Sequence, residues 1–425
     1  MTPRALPIAW PKMNAVSVDG PLDGLRSQEV SQPAARGLRL MMSHLVLGLL
    51  LSTTPASAQE VRGAEEVWAL SPDQHELLEP SSVVIDAEDG IWVADPRSGV
   101  FRWALDGTAL GPVGRSGDGP GEHRLPALLQ RSGDDEILLF DRRFPRVTRF
   151  RPDGSLVSTE NLADLPMDLR GEVEDFAAVS EGFLLWTVSM PINRPRSYEG
   201  RARLLEASPT GRPGEVIQDL PAPEHYVDRD ELNTLVVPVP HGEAPLLRLT
   251  RDGPFVLGSA RAPRVRLMDA DGEVLEDAEL DLQGDALPPV DSEAELGRIE
   301  GRLFGELEHR QDQIPAELDR YFTDKFRRAL SRLELPDSSA YLTFILSGRD
   351  GQVWLQTGER TDHGQVWRLW KPGEWDATSS CAISIAHAGE VVAGSAAGAS
   401  LVLVEMLEEE LPRLVRYDVE GCASG

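Results

Sequence analysis

The sequence predicts an all-β fold, a six-bladed β-propeller with a small two-helix insertion between blades four and five, and three observations predict it. A turn followed by an apolar strand recurs six times, at Asp89-Gly90-Ile-Trp-Val-Ala, Gly133-Asp-Asp-Glu-Ile-Leu-Leu-Phe140, Glu181-Gly182-Phe-Leu-Leu-Trp, Asp252-Gly253-Pro-Phe-Val-Leu, Asp350-Gly351-Gln-Val-Trp-Leu and Gly389-Glu-Val-Val-Ala-Gly394. Each is followed by a second strand that ends in its own glycine, at Gly107, Gly154, Gly211, Gly272, Gly373 and Gly421. Seven residues before each of these glycines stands an aliphatic side chain, Val100, Val147, Leu204, Val265, Val366 and Leu414, and five before stand Arg102, Arg149, Arg368 and Arg416 in four of the six. A shared register of this kind marks a structural repeat more firmly than any single Asp-Gly turn. A four-stranded antiparallel sheet with two apolar faces must bury both, and packing six such sheets around an axis does so.

The elements follow in chain order. Arg36 and Arg39 precede the apolar run Leu45-Val-Leu-Gly-Leu-Leu-Leu51, and Ala56-Ser-Ala58 has the small-x-small form a signal peptidase cuts. The run is too short to span a bilayer. Residues 1–58 are therefore expected to be an extended N-terminus and signal peptide cleaved near Ala58, with translation from Met41 or Met42 and a mature chain, 59–425, in the periplasm or outside the cell. No cysteine follows the cut, which argues against a lipid anchor there, and the mature chain carries no transmembrane segment.

Within the mature chain, Trp68 and the rest of Glu65-Glu-Val-Trp-Ala-Leu70 are expected to add a strand to the last blade and close the ring, since an open ring leaves unpaired strand edges. The blades are placed at roughly 81–107, 124–154, 173–211, 245–272, 341–371 and 381–421. Residues 291–335 break the repeat: Leu296, Ile299, Leu303 and Leu307 form one helical stripe, and Leu318, Phe322, Ala329, Leu330 and Leu333 another. Asp291 and Ser292 suit an N-cap, and Pro315 the first turn of the second helix.

Charge narrows the partners. The chain has 42 Lys and Arg against 70 Asp and Glu; removing residues 1–58 takes away five and three, leaving 37 against 67 and a formal charge of −30. Such a surface repels phosphate backbones and anionic lipid, so no nucleic acid is expected. Cys381 and Cys422 are the only cysteines; export permits a disulfide between them, two free thiols are the alternative, and no CxxC or Cys/His cluster makes them metal ligands.

The second blade carries a resemblance. Leu139-Phe-Asp141-Arg-Arg-Phe-Pro-Arg146-Val147-Thr-Arg-Phe150-Arg-Pro-Asp153-Gly154 resembles an NHL repeat, and that likeness implies a structural ion pair between Asp141 and Arg146. Blade one departs from the pattern: Asp95 is present, the loop is one residue shorter and Gly99 stands where the arginine would be. Blade four keeps Pro263-Arg264-Val265 without a matching Asp. The chain from about 60 to 421 is similar to exported bacterial six-bladed propellers, which often carry a stretch like Gly117-Asp-Gly119-Pro-Gly121-Glu122 after their first blade.

That glycine-rich stretch, Gly114 to Pro126, is neither a phosphate loop, which needs Gly-Lys-Ser/Thr at its end, nor a dinucleotide fingerprint, because Pro120 and Pro126 forbid the helix that must follow. Its position makes it the crossover from the outer edge of blade one to the inside of blade two. Asp118, Glu122 and His123 are its candidate ligand residues, near the axial mouth. Arg97, Arg142 and Arg143, in loops between second and third strands, are candidates for an anionic ligand or for pairing with the acidic surface. Asp269-Ala-Asp271-Gly272-Glu273 opens like a calcium loop but has Leu280 where the twelfth-position glutamate belongs, so an ordinary turn is expected. No catalytic residue is assigned, since no Gly-x-Ser-x-Gly elbow occurs and the histidines are scattered. No cofactor is expected, with a divalent cation such as Ca²⁺ left open. The expected function is a monomeric ligand- or protein-binding scaffold without its own catalytic centre; the alternative is a metal-dependent lactonase or esterase of the gluconolactonase-like propeller type, which the fold alone does not decide.

Overall fold

Each glycine turn reverses an apolar strand onto its neighbour, and the sheets that result stand around a common axis. The computed structural model describes residues 61–422 apart from 134, 171, 190–199, 230–233, 252, 281, 283–286, 309–315, 350, 374–380, 408–411 and 420–421. The signal-peptide reading, Pro315 and Gly421 lie outside the described residues.

Two strands, β1 (Arg62–Gly63) and β2 (Glu65–Leu70), precede blade one, which is β3 (Ser82–Ile85), β4 (Gly90–Asp95), β5 (Gly99–Ala104) and β6 (Ala109–Pro112). A crossover with a minimal parallel pair, β7 (Arg115–Ser116) and β8 (Glu122–His123), leads to blade two: β9 (Pro126–Arg131), β10 (Ile137–Asp141), β11 (Arg146–Phe150) and β12 (Leu156–Asn161). After α1 (Met167–Arg170), blade three is β13 (Val173–Val179), β14 (Gly182–Ser189), β15 (Arg201–Ala207) and β16 (Pro213–Pro221). A separate hairpin, β17 (His225–Arg229) and β18 (Thr234–Pro238), precedes blade four: β19 (Pro245–Leu249), β20 (Phe255–Ser259), β21 (Ala262–Met268) and β22 (Val274–Glu279). The insertion follows as α2 (Ser292–Glu308) and α3 (Ala316–Leu330). Blade five is β23 (Leu342–Ser347), β24 (Val353–Thr361), β25 (Gly364–Trp370) and β26 (Ala382–Ile385); blade six is β27 (Glu390–Ala397), β28 (Ser400–Met406) and β29 (Pro412–Asp418), with β2 as its outer strand.

The innermost strands β3, β9, β13, β19, β23 and β27 touch one another in cyclic order, so the ring is closed. Its apolar cores lie between the blades. Val84 and Trp92 meet Leu129 and Phe150 at the first seam, Phe140 meets Phe176 and Phe183 at the second, and Trp186 meets Leu249 and Phe255 at the third. Val265 and Trp370, Trp367 and Leu403, and Val404 and Ile85 belong to the remaining three. Burying one large side chain of this kind is worth about 1.5–3 kcal/mol, and every blade lends such side chains to both neighbours. All six register residues, Val100, Val147, Leu204, Val265, Val366 and Leu414, are at most 1% exposed.

The described register glycines share one backbone geometry, with φ between +82° and +88° at Gly107, Gly154, Gly211, Gly272 and Gly373. At Gly107 a Cβ would also stand 3.3 Å from the Trp68 ring, whose Nε1 donates to the Leu105 carbonyl at 2.9 Å. The strand that closes the ring is thereby seated on the first blade's turn.

Three expectations are corrected. The sixth turn-and-strand unit is not Gly389–Gly394, which is the entry to the innermost strand β27; the equivalent turn is at Gly398, φ +53°, ahead of β28. Residues 382–385 form the outer strand of blade five, so blade six begins at Glu390; the length of sequence between β25 and β26 hides that last strand. Leu318 is 42% exposed and leaves the helix stripe, while Lys325 is fully buried beside the Tyr321 hydroxyl at 3.3 Å.

Cys381 and Cys422 form a disulfide, with Cα atoms 5.3 Å apart, which ties the end of the chain to the outer edge of blade five. There β1 pairs parallel with β26, an edge contact with no counterpart in the sequence pattern.

Candidate functional site

Strand direction alternates within each blade, so the crossovers between blades and the loops joining second to third strands share one face. Candidate residues 97, 118, 122, 123, 142 and 143 all fall on it.

The loop after β4 is built on Asp95, fully buried, which accepts from the backbone N–H of Leu78, Glu79, Arg97 and Ser98 at 2.5, 2.7, 2.8 and 2.9 Å. Asp141 does the same in blade two, accepting from Arg124, Leu125, Arg143 and Phe144 at 2.8 to 3.4 Å. The ion pair implied by the NHL-like pattern is present, Arg146 to Asp141 at 3.3 Å, both buried. Its guanidinium also donates to the carbonyls of Gly117, Asp118 and Gly119 at 3.0, 3.0 and 3.4 Å. The glycine-rich stretch is thus a crossover held down by an arginine of the next blade, which requires carbonyls that turn inward and a loop thin enough to approach.

Blade one has no such arginine. Gly99, at φ +128°, takes its place, and a Cβ there would come within 3.5 Å of His123 Nε2. Beside it opens a cleft of about 120 Å³, lined by Arg97, Ser98, Gly99, Ser116, His123 and Arg124 among others. Two buried polar atoms at this cleft, Ser98 Oγ and His123 Nδ1, have no hydrogen-bond partner. His123 is 5% exposed; burial pushes its pKa below the ordinary value against the pull of Asp141, with Arg146 adding to the fall. Its neutral imidazole is therefore the form held at the cleft.

The candidates divide accordingly. Arg97 and His123 line the cleft, and Arg97 is exposed with no ion pair among the described residues. Asp118 and Glu122 stand behind it as counter-ions of the rim arginines, Asp118 to Arg124 at 2.9 Å and Glu122 to Arg115 at 2.5 Å. Arg142 and Arg143 are not part of it: Arg142 turns to the next seam, donating to the Val173 carbonyl at 2.7 Å and lying 3.6 Å from Glu174, and Arg143 is exposed. The Asp269 loop is an ordinary turn, its carboxylate accepting from Asp271 and Glu273 N–H at 3.1 and 2.8 Å.

The fold also assembles two groups from side chains that lie far apart in the sequence. At the seam of blades five and six, Trp367 Nε1 donates to His387 Nε2 at 2.9 Å, His387 Nδ1 donates to Glu405 at 2.9 Å, and the Tyr417 hydroxyl donates to the same oxygen at 2.7 Å. Burial pushes Glu405 up, but the hydrogen bonds from His387 and Tyr417 outweigh it and leave the carboxyl below its usual range. Only the β27–β28 register brings His387 and Glu405 together, so no local spacing announces them. On the same face, α2 and α3 form a roof. Asp291 caps α2 at 3.1 Å through Ala294 N–H, Arg298 pairs with Glu390 at 3.0 Å, and Arg328 of α3 pairs with Asp228 of the β17 hairpin at 3.1 Å. His241, 3.6 Å away, and then Arg298 hold Glu295 down to about 2 against the opposing effect of burial.

Among the described residues no group of three or more His, Cys, Asp or Glu converges as a metal-binding set, and no helix is long and apolar enough to cross a membrane. No family model and no curated protein sequence matches the chain. Among solved structures it is similar to a Bacteroides fragilis protein whose name proposes that it is exported, at 9% identity and a TM-score of 0.42, covering 85% of this chain and 96% of that one. It is also similar to a WD40 domain of Neurospora crassa, at 9% identity and TM-score 0.37 over 85% and 96%, and to a catalytically inactive virginiamycin B lyase of Staphylococcus aureus solved with quinupristin, at 9% and 0.37 over 83% and 98%. At these scores the matches support no argument about function.

Proposed function

We propose that the protein is an exported, monomeric binding scaffold of NHL-like propeller type, and that the cleft beside Gly99 receives a small ligand through a carboxylate. The observation that carries this is the contrast between two neighbouring blades: where Arg146 fills blade two and grips the crossover that enters it, blade one leaves a cleft with two buried polar atoms, Ser98 Oγ and His123 Nδ1, and a rim residue, Arg97, that have no hydrogen-bond or ion-pair partner, respectively, among the described residues. A buried polar atom without a partner costs about 1–3 kcal/mol, a cost that a bound hydrogen-bonding group removes. Two donors and a guanidinium suit a carboxylate. Asp95, Asp141, Arg146 and Glu405, which are also buried charges, hold loops in place. Export is supported by the N-terminal leader pattern and by the disulfide, which persists in oxidising compartments.

Calorimetric titration with acetate and with succinate, at fixed ionic strength, tests the reading. Saturable binding that Arg97→Glu abolishes without lowering thermal stability is expected, because Arg97 is exposed and makes no ion pair. Equal binding by the variant, or heat that tracks ionic strength alone, contradicts it.

A further inference from the structure

At the face opposite the crossovers, the innermost strands end in turns that surround the axis, and arginines from three blades meet there. Arg349, just past β23 of blade five, reaches over the sector of blade six to the Asp86 carbonyl at 3.1 Å and the Asp89 carboxylate at 2.6 Å in blade one. Arg251, just past β19 of blade four, reaches over the sector of blade three to Asp135 at 2.9 Å and to the Gly133 carbonyl in blade two. Arg131, the last residue of β9, stands between these two chords. It is 7% exposed, its Nε has no partner, and its one carboxylate, Asp135 at 3.3 Å, is shared with Arg251. Next to it, Ser132 carries a second buried hydroxyl without a partner. Burial, then the charge of Arg251 and, after the opposing pull of Asp135, that of Arg349 lower the pKa of Arg131, which therefore feels both neighbouring cations.

Next to this cluster the inner strands are tied to one another. Gln130 donates from blade two to the Leu249 carbonyl of blade four at 3.2 Å, and Ser347 of blade five donates to the same carbonyl at 3.4 Å. Three guanidiniums held by two carboxylates, Asp135 and Asp89, stand beside this hydrogen-bonded layer and leave a local surplus of positive charge on a molecule whose formal charge is −28. Like charges held this close repel, and a bound anion relieves that repulsion while supplying acceptors for forked N–H donors.

We infer that this axial arginine cluster is a binding site for a small tetrahedral oxyanion, of which inorganic phosphate and sulfate are the simplest members, with Arg131 as its central ligand and Arg251 and Arg349 as flanking ones. The site is independent of the cleft beside Gly99.

The test is thermal stability and calorimetric affinity of the full chain with phosphate, sulfate, acetate and chloride at matched ionic strength. Saturable stabilisation by phosphate or sulfate beyond that by chloride is expected, and Arg131→Gln weakens binding at least roughly tenfold, the effect of removing one charge-assisted contact. Asp135→Asn serves as the second variant: Asn tolerates the left-handed backbone of that position, φ +60°, and removal of the competing carboxylate tightens oxyanion binding several-fold. Stabilisation no greater than by chloride overturns the inference, as does a response to acetate equal to that to phosphate. An Arg131→Gln protein that binds like the parent also overturns it; should that variant not fold, unchanged or weaker binding by Asp135→Asn does so.

Discussion

Replacing Cys381 and Cys422 together by serine removes the covalent tie between blade five and the end of blade six. The bridge encloses a separation of 41 residues, which is nearly the whole of blade six. Loop-closure entropy for a ring of that length comes to about 13 cal/mol/K, or about 4 kcal/mol at 25 °C, lost from the unfolded state when the bond is present. For a domain of this size that corresponds to a fall in melting temperature on the order of 5 °C. The assay is scanning calorimetry of the oxidised parent, the dithiothreitol-treated parent and the double variant, side by side. The two bond-free forms are expected to melt together, below the oxidised protein, because the effect acts through the unfolded chain. A variant within about 1 kcal/mol of the oxidised parent would refute the reasoning. A variant far below the reduced parent would show instead that serine at the buried Cys422 site carries its own cost.

Arg146→Met keeps the aliphatic stem but strips Asp141 of its cation and three carbonyls of their donor. Breaking a buried pair of this kind costs about 3–5 kcal/mol, read from urea unfolding, and a loss under about 1 kcal/mol contradicts the bracing role given to it. Glu295, at about 2 when folded against 4.5 ordinarily, contributes stability that is fully present above pH 4.5 and fades as pH falls toward 2. The amides of α2 are accordingly expected to lose exchange protection across that interval, and Glu295→Gln to remove the dependence. His123, depressed by burial from 6.5, is expected to remain neutral in NMR titrations at that pH, with its contribution to stability lost as pH falls through its folded value. A normal imidazole midpoint would mean that the cleft is wetter than the structure shows.

Much of the ring was legible because its determinants are local and repeated. An aliphatic residue seven positions before a glycine recurs in each unit, the glycine being left-handed in the five units where it is described, and both are backbone and burial requirements of the same strand. Where the pattern misled, at Gly389 and at residues 382–385, a long stretch of sequence separates the third strand of blade five from its fourth, and the apolar start of β27 imitates a second strand. The Asp141–Arg146 pair was legible because both ends sit in one hairpin. The His387–Glu405 group was not, since its members meet only through the pairing of β27 with β28. For the same reason the arginines of the axial cluster, from blades two, four and five, carry no common motif. The cleft was half legible: His123 and Arg97 stood out by type and loop position, but Arg142 and Arg143 looked equivalent to Arg97 until the seam with blade three showed what Arg142 holds.

The central claim is that Gly99 leaves open in blade one what Arg146 closes in blade two, and that the open space binds. A crystal structure of the protein with succinate tests it most directly. A carboxylate within hydrogen-bonding distance of Ser98 Oγ, His123 Nδ1 and the Arg97 guanidinium is the expected result. A ligand seated elsewhere on the crossover face, or a cleft filled by the Arg97 side chain folding into Arg146's equivalent place, would contradict it.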